Sequence, residues 1–193
     1  MRENIVLIGG GGHAKSVIDV LEMQGRFNII GIIDSQNVGK MVLNYQIIGT
    51  DDDLKSIFKE CKNAIISVGQ IKSVETRIRL FELAKSIGFM LPTIISPLAY
   101  VSKHASLGEG TIIMHQALIN AGAKVGKNCI INTKALIEHD AIVGDHCHIS
   151  TASVVNGGVF VGEKTFFGSN SMAREYIEIS QNSVIGGGLA VMR

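Results

Sequence analysis

Charge of one sign is scarce in this chain: 18 Lys and Arg against 17 Asp and Glu leave a net +1, and the cations are scattered. A nucleic-acid binder would carry a basic footprint, so that class is excluded. Long apolar runs are also missing. The N-terminal NIVLIGGGG has four consecutive apolar residues before its glycines, far short of a signal-peptide core or a membrane-spanning helix. Cysteine occurs three times, at Cys61, Cys129 and Cys147, with no C-x-x-C spacing. That usage suits reduced thiols, and a cytoplasmic protein is expected. Proline occurs twice, and both residues, Pro92 and Pro97, fall within LPTIISP. What is present is core-forming: 46% hydrophobic against 18% charged residues argues for a globular fold and against disorder. A chain of 193 residues makes one ordinary domain or two small ones.

The first half alternates strand and helix patterns. NIVLIGG (4–10), FNIIGIID (27–34) and AIISVG (64–69) read as strands. Between and after them HAKSVIDVLEMQG (13–25), TDDDLKSIFKEC (50–61) and SVETRIRLFELAKSIG (73–88) read as helices, with Gly25 and Gly88 as stops. The order βαβαβα predicts a parallel sheet with helices on its faces, about one half of a doubly wound dinucleotide fold.

From Ile95 the rule changes. Every sixth residue through Val191 is apolar, and only Ala173 is not large. Four residues after each comes mostly a small residue, such as Ala117, Ala123, Cys129, Ala135, Ala141 or Cys147. A unit of six makes one flat face and a corner, too short to bury anything alone. Three faces close a coil, and stacked coils share a narrow core. Cys129 and Cys147, one coil apart, are then small hydrophobes in an internal column. Gly108, Gly126, Gly144, Gly162, Gly168 and Gly186 directly follow the apolar position, where a backbone with positive φ is expected. The prolines place the boundary between residues 1–92 and 93–193.

The combination of IVLIGGGGHAKSVIDVL, GIID and SVG with NTKALIEHDAIVGDHCHIS and VIGGG resembles the sialic acid O-acetyltransferase and UDP-4-amino-sugar N-acetyltransferase family (NeuD/PglD type) over nearly the whole chain. The resemblance implies a Rossmann-like half domain followed by a left-handed parallel β-helix of hexapeptide repeats. It implies a homotrimer with active sites between subunits, acetyl-CoA as co-substrate, no metal, and as acceptor the amino or hydroxyl group of a nucleotide-linked amino sugar or of a sialic-acid-like sugar, with a sialic acid O-acetyltransferase proper as the alternative. Acetyl transfer needs an acceptor deprotonated as it attacks, and a neutral imidazole near its ordinary pKa can take that proton. His139 is the expected base. Glu138 is its expected orienting carboxylate, chosen over Asp140 because the resemblance singles out the Glu–His pair. His148 is expected to hydrogen-bond the acetyl carbonyl or the acceptor, and Asn132 to orient the acceptor. His115 and His146 are expected to be surface residues.

Gly9, Gly11 and Ala14 satisfy G-x-G-x-x-G/A between a strand and a helix, and Asp34 ends the second strand. By motif alone this is a dinucleotide site, because such glycines admit a pyrophosphate to the helix N-terminus. The resemblance favours a UDP-sugar there, touching Gly11, Gly12, His13, Asp34, Ser35 and Gly69. Ser35 and Gln70 differ from the residues common in the family. By position Gly157, Ser169 and Gly187 match its CoA-contacting points. Relatives usually continue beyond LAVMR with another coil, so CoA affinity is the property most exposed to that difference.

Three other readings compete. A zinc hydratase like the gamma carbonic anhydrases would use three histidines. His104, His115, His139, His146 and His148 include no pair one coil apart, although two subunits could share ligands. A binding protein that kept the fold and lost the chemistry would take a UDP-sugar without transfer. A dehydrogenase finds no hydride-accepting site in the β-helix.

Overall fold

The structure, a computed structural model, describes residues 2–71 and 73–193. The chain divides into two compact units: residues up to Gly69 with Glu75–Pro92, and Gln70–Val74 with Thr93–Arg193.

In the first unit β1 (Glu3–Ile8), β2 (Phe27–Ile33), β3 (Met41–Val42), β4 (Tyr45–Gly49) and β5 (Asn63–Ile66) form one sheet in the order β3-β4-β2-β1-β5. All neighbours are parallel except β3 and β4, which form a hairpin. The sequence reading lacked this hairpin. Its turn contains Leu43 at φ +52°, a left-handed position where Gly, Asn or Asp is the usual signal. Helix α1 (Gly12–Gln24) ends at Gly25, whose φ of 65° closes the last turn onto the Leu21 carbonyl. The expected second helix begins as a 3₁₀ turn over Asp51–Asp53 before α2 (Leu54–Glu60), with Thr50 N–H donating to Asp53 Oδ2 at 2.8 Å. Helix α3 (Glu75–Ile87) buries Leu80, Phe81 and Ala84 with Val6, Ile8 and Ile66. It also sends the buried Arg77 guanidinium to the carbonyls of Ile66 and Val68 at 2.7 and 2.8 Å, which holds the loop leading to Gly69.

The second unit is a left-handed parallel β-helix of hexapeptide repeats. Two-residue strands stack into three faces: a first from Ile94–Ile95 to Val184–Ile185, a second from Tyr100–Val101 to Ala190–Val191, and a third from Ser106–Leu107 to Glu178–Ile179. Each strand pairs in parallel with the strand one coil on, without slippage: Leu118 with Leu136 and Ile119 with Ile137, Ile130 with His148 and Ile131 with Ile149. A constant coil length brings every sixth residue inward, so Ile119 and Ile137 of the second face and Ile131, Ile149 and Phe167 of the first fill one buried core. Cys129 and Cys147 lie in it as free thiols, and the Cys147 thiol is pushed far up by its hydrogen bond to Cys129 and by burial. A thiol held protonated is a poor nucleophile, which argues against an acyl-cysteine route.

The glycines after the apolar position do not have positive φ. The left-handed residues fall two places later, at Asn128, Lys134, Asp140, His146 and Gly158 among others. Close stacking accounts for the glycines instead: a Cβ at Gly144 would lie 2.7 Å from Glu163 N, and one at Gly168 2.6 Å from Gly187 N.

Candidate active site

The corner between the second and third faces carries Glu138, His139 and Asp140. Nothing in the core asks for them: Ile137 and Val143 point inward, and these three do not. His139 and Asp140 are exposed, at 52% and 71% of their side chains. The sequence reading placed Glu138 at the imidazole, but the ring meets Asp140: Nδ1 lies 3.0 Å from Asp140 Oδ2. Backbone conformation explains this. Asp140 occupies the left-handed corner position at φ +59°, which aspartate tolerates. Glu138 instead ties down the turn, its Oε2 accepting His139 N–H at 3.1 Å and Asn120 Nδ2–H from the coil below at 2.8 Å.

The hydrogen bond to Asp140 raises the His139 pKa above its ordinary value. It also fixes the tautomer, because a carboxylate oxygen takes the Nδ1 proton and leaves Nε2 with its lone pair. The neighbouring coils leave room for the pair. A Cβ at Gly122 would collide with Asp140 Oδ1, and one at Gly157 would lie 2.7 Å from both Cε1 and Nε2 of His139. Gly157, expected at a cofactor, lies against the His139 imidazole. The register marks it, one coil on from His139.

His148, on a strand of the first face, meets Asn132 at the corner between the first and second faces. His148 Nε2 lies 3.1 Å from Asn132 Nδ2, and Nδ1 lies 2.6 Å from the Gln70 carbonyl. Phe166 meets the ring edge-on at 5.2 Å between centroids. His146 is buried rather than superficial, with Nδ1 3.0 Å from Asn128 Nδ2, and His115 Nδ1 is 2.7 Å from Ser96 Oγ. Ser169 and Gly187 stack at the corner between the first and second faces, where Ser169 Oγ is 2.9 Å from Ser150 Oγ. They are not at the corner that holds Gly157.

In the first unit the glycine loop stands at the carboxyl end of β1. Gly10 N–H donates to Asp34 Oδ2 at 2.6 Å, and Asp34 Oδ1 accepts from Gln36 N–H at 2.9 Å. Gly11 caps α1 with no side-chain hydrogen bond, and nothing lies within 4 Å of a Cβ built on Gly11 or Gly12. Gly69 faces the His13 Cβ, and Ser35 is exposed. A groove of about 340 Å³ runs beside this loop, lined by Gly10, Lys15, Asn37, Lys40, Met41 and Leu43 among others. Lys15 and Lys40 escaped the sequence reading, since only the hairpin brings Lys40 to the loop. A larger groove of about 520 Å³ in the β-helix is lined by Asp145, Glu163 and Glu178 and by no cation, which makes it unsuited to phosphates. Among the described residues no helix is long and apolar enough to cross a membrane, and no three His, Cys, Asp or Glu side chains are grouped to hold a metal.

Residues 4–83 match the family described as the PglD N-terminal domain. The solved structure of PerB from Caulobacter crescentus, in complex with CoA and GDP-perosamine, is 34% identical with a TM-score of 0.92. That likeness covers 98% of this chain and 89% of PerB. The acetyltransferase domain of PglB from Neisseria gonorrhoeae, in complex with acetyl coenzyme A, is 27% identical over 99% of this chain and 93% of that one, with a TM-score of 0.91. An uncharacterised protein of Acanthamoeba polyphaga mimivirus is 32% identical over 110 residues; the match spans 56% of this chain and 21% of that protein. With both units matched together at this identity, the chain belongs to the NeuD/PglD-type family of sugar acetyltransferases built on a hexapeptide-repeat β-helix.

Proposed function

We propose that the protein transfers the acetyl group of acetyl-CoA to the amino group of a nucleotide-activated amino sugar, with His139 as general base. The observation that carries this reading is the His139–Asp140 pair: a solvent-facing imidazole with its Nδ1 proton on a carboxylate and its Nε2 free to accept one. His139 Nε2 takes a proton from the amine as nitrogen bonds to the thioester carbonyl carbon. It returns that proton to sulfur as the carbon–sulfur bond breaks, so no acyl-enzyme is needed. Asp140 stabilises the imidazolium between these steps. The relatives solved with CoA, acetyl coenzyme A and GDP-perosamine support both substrates. The bare N-terminus of α1, with Lys15 and Lys40 beside it, suits a diphosphate.

The working unit is proposed to be a homotrimer. Leu118, Leu136, Val154 and Met172 form an outward apolar stripe on the second face, only half-buried in one chain. Its two edges carry His139 on one side and, on the other, Asn132, which meets His148 of the first face. Packing these stripes around a threefold axis would bring unlike edges of neighbours together. Free, buried thiols suit a reducing cytoplasm, where we place the protein.

The direct test incubates purified protein with acetyl-CoA and with GDP- and UDP-linked 4-amino sugars or their hydroxyl counterparts, following free thiol and acetylated product. Turnover of at least one amino sugar is expected; none on any of them would sink the proposal. Asp140→Asn gives a second test through pH. Activity rises with pH as His139 loses its proton, and Asp140 raises that pKa. Removing the carboxylate should therefore move the acidic limb of kcat/KM to lower pH. It should also cost about 10- to 10²-fold at the plateau, within the range of acid–base catalysis. An acidic limb that stays in place would detach Asp140 from the base.

A further inference from the structure

The corner that bears His139 continues over the next two coils, and the backbone fixes each step. Gly158 N–H donates to the His139 carbonyl at 3.0 Å, and Tyr176 N–H donates to the Gly157 carbonyl at 3.0 Å. Gly157 and Gly158 have no side chains of their own, and two rings take up the space. His139 reaches Gly157 from the coil before, with Nε2 2.7 Å from where a Cβ would stand. From the coil after, Tyr176 covers Gly158, where a Cβ would run into ring atoms Cδ1 and Cε1. Consecutive Cα atoms are about 3.8 Å apart, so imidazole and phenol rest on neighbouring residues of one bare pad. Tyr176 is an odd occupant of that place. Its φ is +56°, whereas the other left-handed corners of the β-helix carry glycine, alanine or polar side chains such as Asn128, Asp140, Asn170 and Asn182. A bulky aromatic there is an outlier that costs stability, and such outliers cluster at ligand sites. The core does not need the ring either, since Tyr176 is 77% exposed.

We propose that Tyr176 is a binding residue for the acetyl donor, its ring packing against the sulfur and first methylenes of the pantetheine arm beside His139. The role rests on the acetyltransferase reading above. In that reaction Nε2 hands its proton to the leaving sulfur, so sulfur must come to the side of the imidazole that faces Gly157. The arm bonded to that sulfur is slim and uncharged, and a pad without side chains leaves it room. Aromatic rings make favourable contacts with sulfur and bury methylene groups well. The donor's phosphates belong elsewhere: along this corner Glu138, Asp140 and Glu175 outnumber Arg174, which disfavours anions.

The experiment compares wild type with Tyr176→Phe, which keeps the ring, and Tyr176→Asn, which suits the left-handed backbone and removes it. Calorimetry without any sugar gives Kd for CoA and for phosphoadenosine diphosphate, the nucleotide end of CoA without its arm. Kinetics give KM for acetyl-CoA and for the nucleotide-linked amino sugar. In Tyr176→Asn, Kd for CoA and KM for acetyl-CoA should rise about tenfold, the worth of an aromatic contact with sulfur and methylenes. Kd for the nucleotide end and KM for the amino sugar should stay within about twofold, as for sites that share no contact. Tyr176→Phe should hold Kd for CoA within about twofold of wild type, because the ring remains. The melting temperature of Tyr176→Asn should hold or rise, since asparagine is at ease at this φ. A raised KM for the amino sugar with CoA binding intact assigns the ring to the acceptor and overturns the proposal. Equal weakening of the nucleotide end overturns it as well. A lower melting temperature, or a dissociated oligomer, with an unchanged Kd for CoA shows a structural Tyr176 and does the same. If wild type binds no CoA, the acetyltransferase reading falls and takes this role with it, an outcome separate from a CoA-binding wild type matched by an equally tight Tyr176→Asn.

Discussion

His139→Ala is expected to lower kcat/KM for acetyl transfer by about 10²- to 10⁴-fold, the usual worth of a positioned general base. The fold should survive the change. His139 lies on an exposed corner, its imidazole hydrogen-bonds to the adjacent Asp140, and the inward-facing Ile137 and Val143 are untouched. Melting temperature is therefore the control, and KM for acetyl-CoA should change little. The loss should shrink at higher pH, where more of the acceptor amine is already neutral and nucleophilic. Turnover within a few fold of wild type, in protein that melts normally, would remove His139 from the chemistry and leave Asp140 without a role.

Gly157→Ala should come next in size, and it separates activity from stability in one substitution. The new Cβ would lie 2.7 Å from His139 Cε1 and Nε2 and 3.3 Å from Cδ2. These nearest neighbours all belong to one exposed side chain that can turn, and the backbone at Gly157 does not require positive φ. The methyl group suits the backbone conformation but is refused by the imidazole, which must swing away. A displacement on the order of 1 Å at a reacting atom costs roughly 10²-fold in rate. The expected result is a kcat lower by about that factor. The melting temperature should be unchanged or slightly raised, since alanine reduces the freedom of the unfolded chain where the native backbone accepts it. Kinetics and a thermal melt on the same preparation decide it. A normal kcat would mean that the catalytic position of the ring is not the one seen against Gly157. A parallel loss of stability would mean that the coil, not the ring, had been disturbed.

Much of the site was legible because the repeat explains so many residues that the unexplained ones stand out. In LIEHDAIVGD the period accounts for Ile137, Ala141 and Val143, leaving Glu138, His139 and Asp140 without a structural reason. The choice between the two flanking carboxylates was not legible. It depends on the φ of +59° at Asp140 and on the Asn120 amide that draws Glu138 to the coil below. The repeat also misled at the corners: small residues after the apolar position suggested positive φ, whereas they serve close stacking two places before the left-handed residue. Lys15 and Lys40 were hidden for a different reason, since they share a groove only once β3 and β4 fold back as a hairpin.

The sequence by itself determined the β-helix, its in-register stacking and the corner that bears His139. Each of these follows from a period of six repeated without slippage, a local property that the chain carries from Ile95 to Val191. Only the tertiary structure decided which groups touch the two histidines. Gly157 meets His139 across a whole coil, and Gln70 meets His148 across 78 residues. The first contact depends on where an imidazole turns at a left-handed corner. The second joins the repeat to a segment outside it, so no periodicity could have announced it.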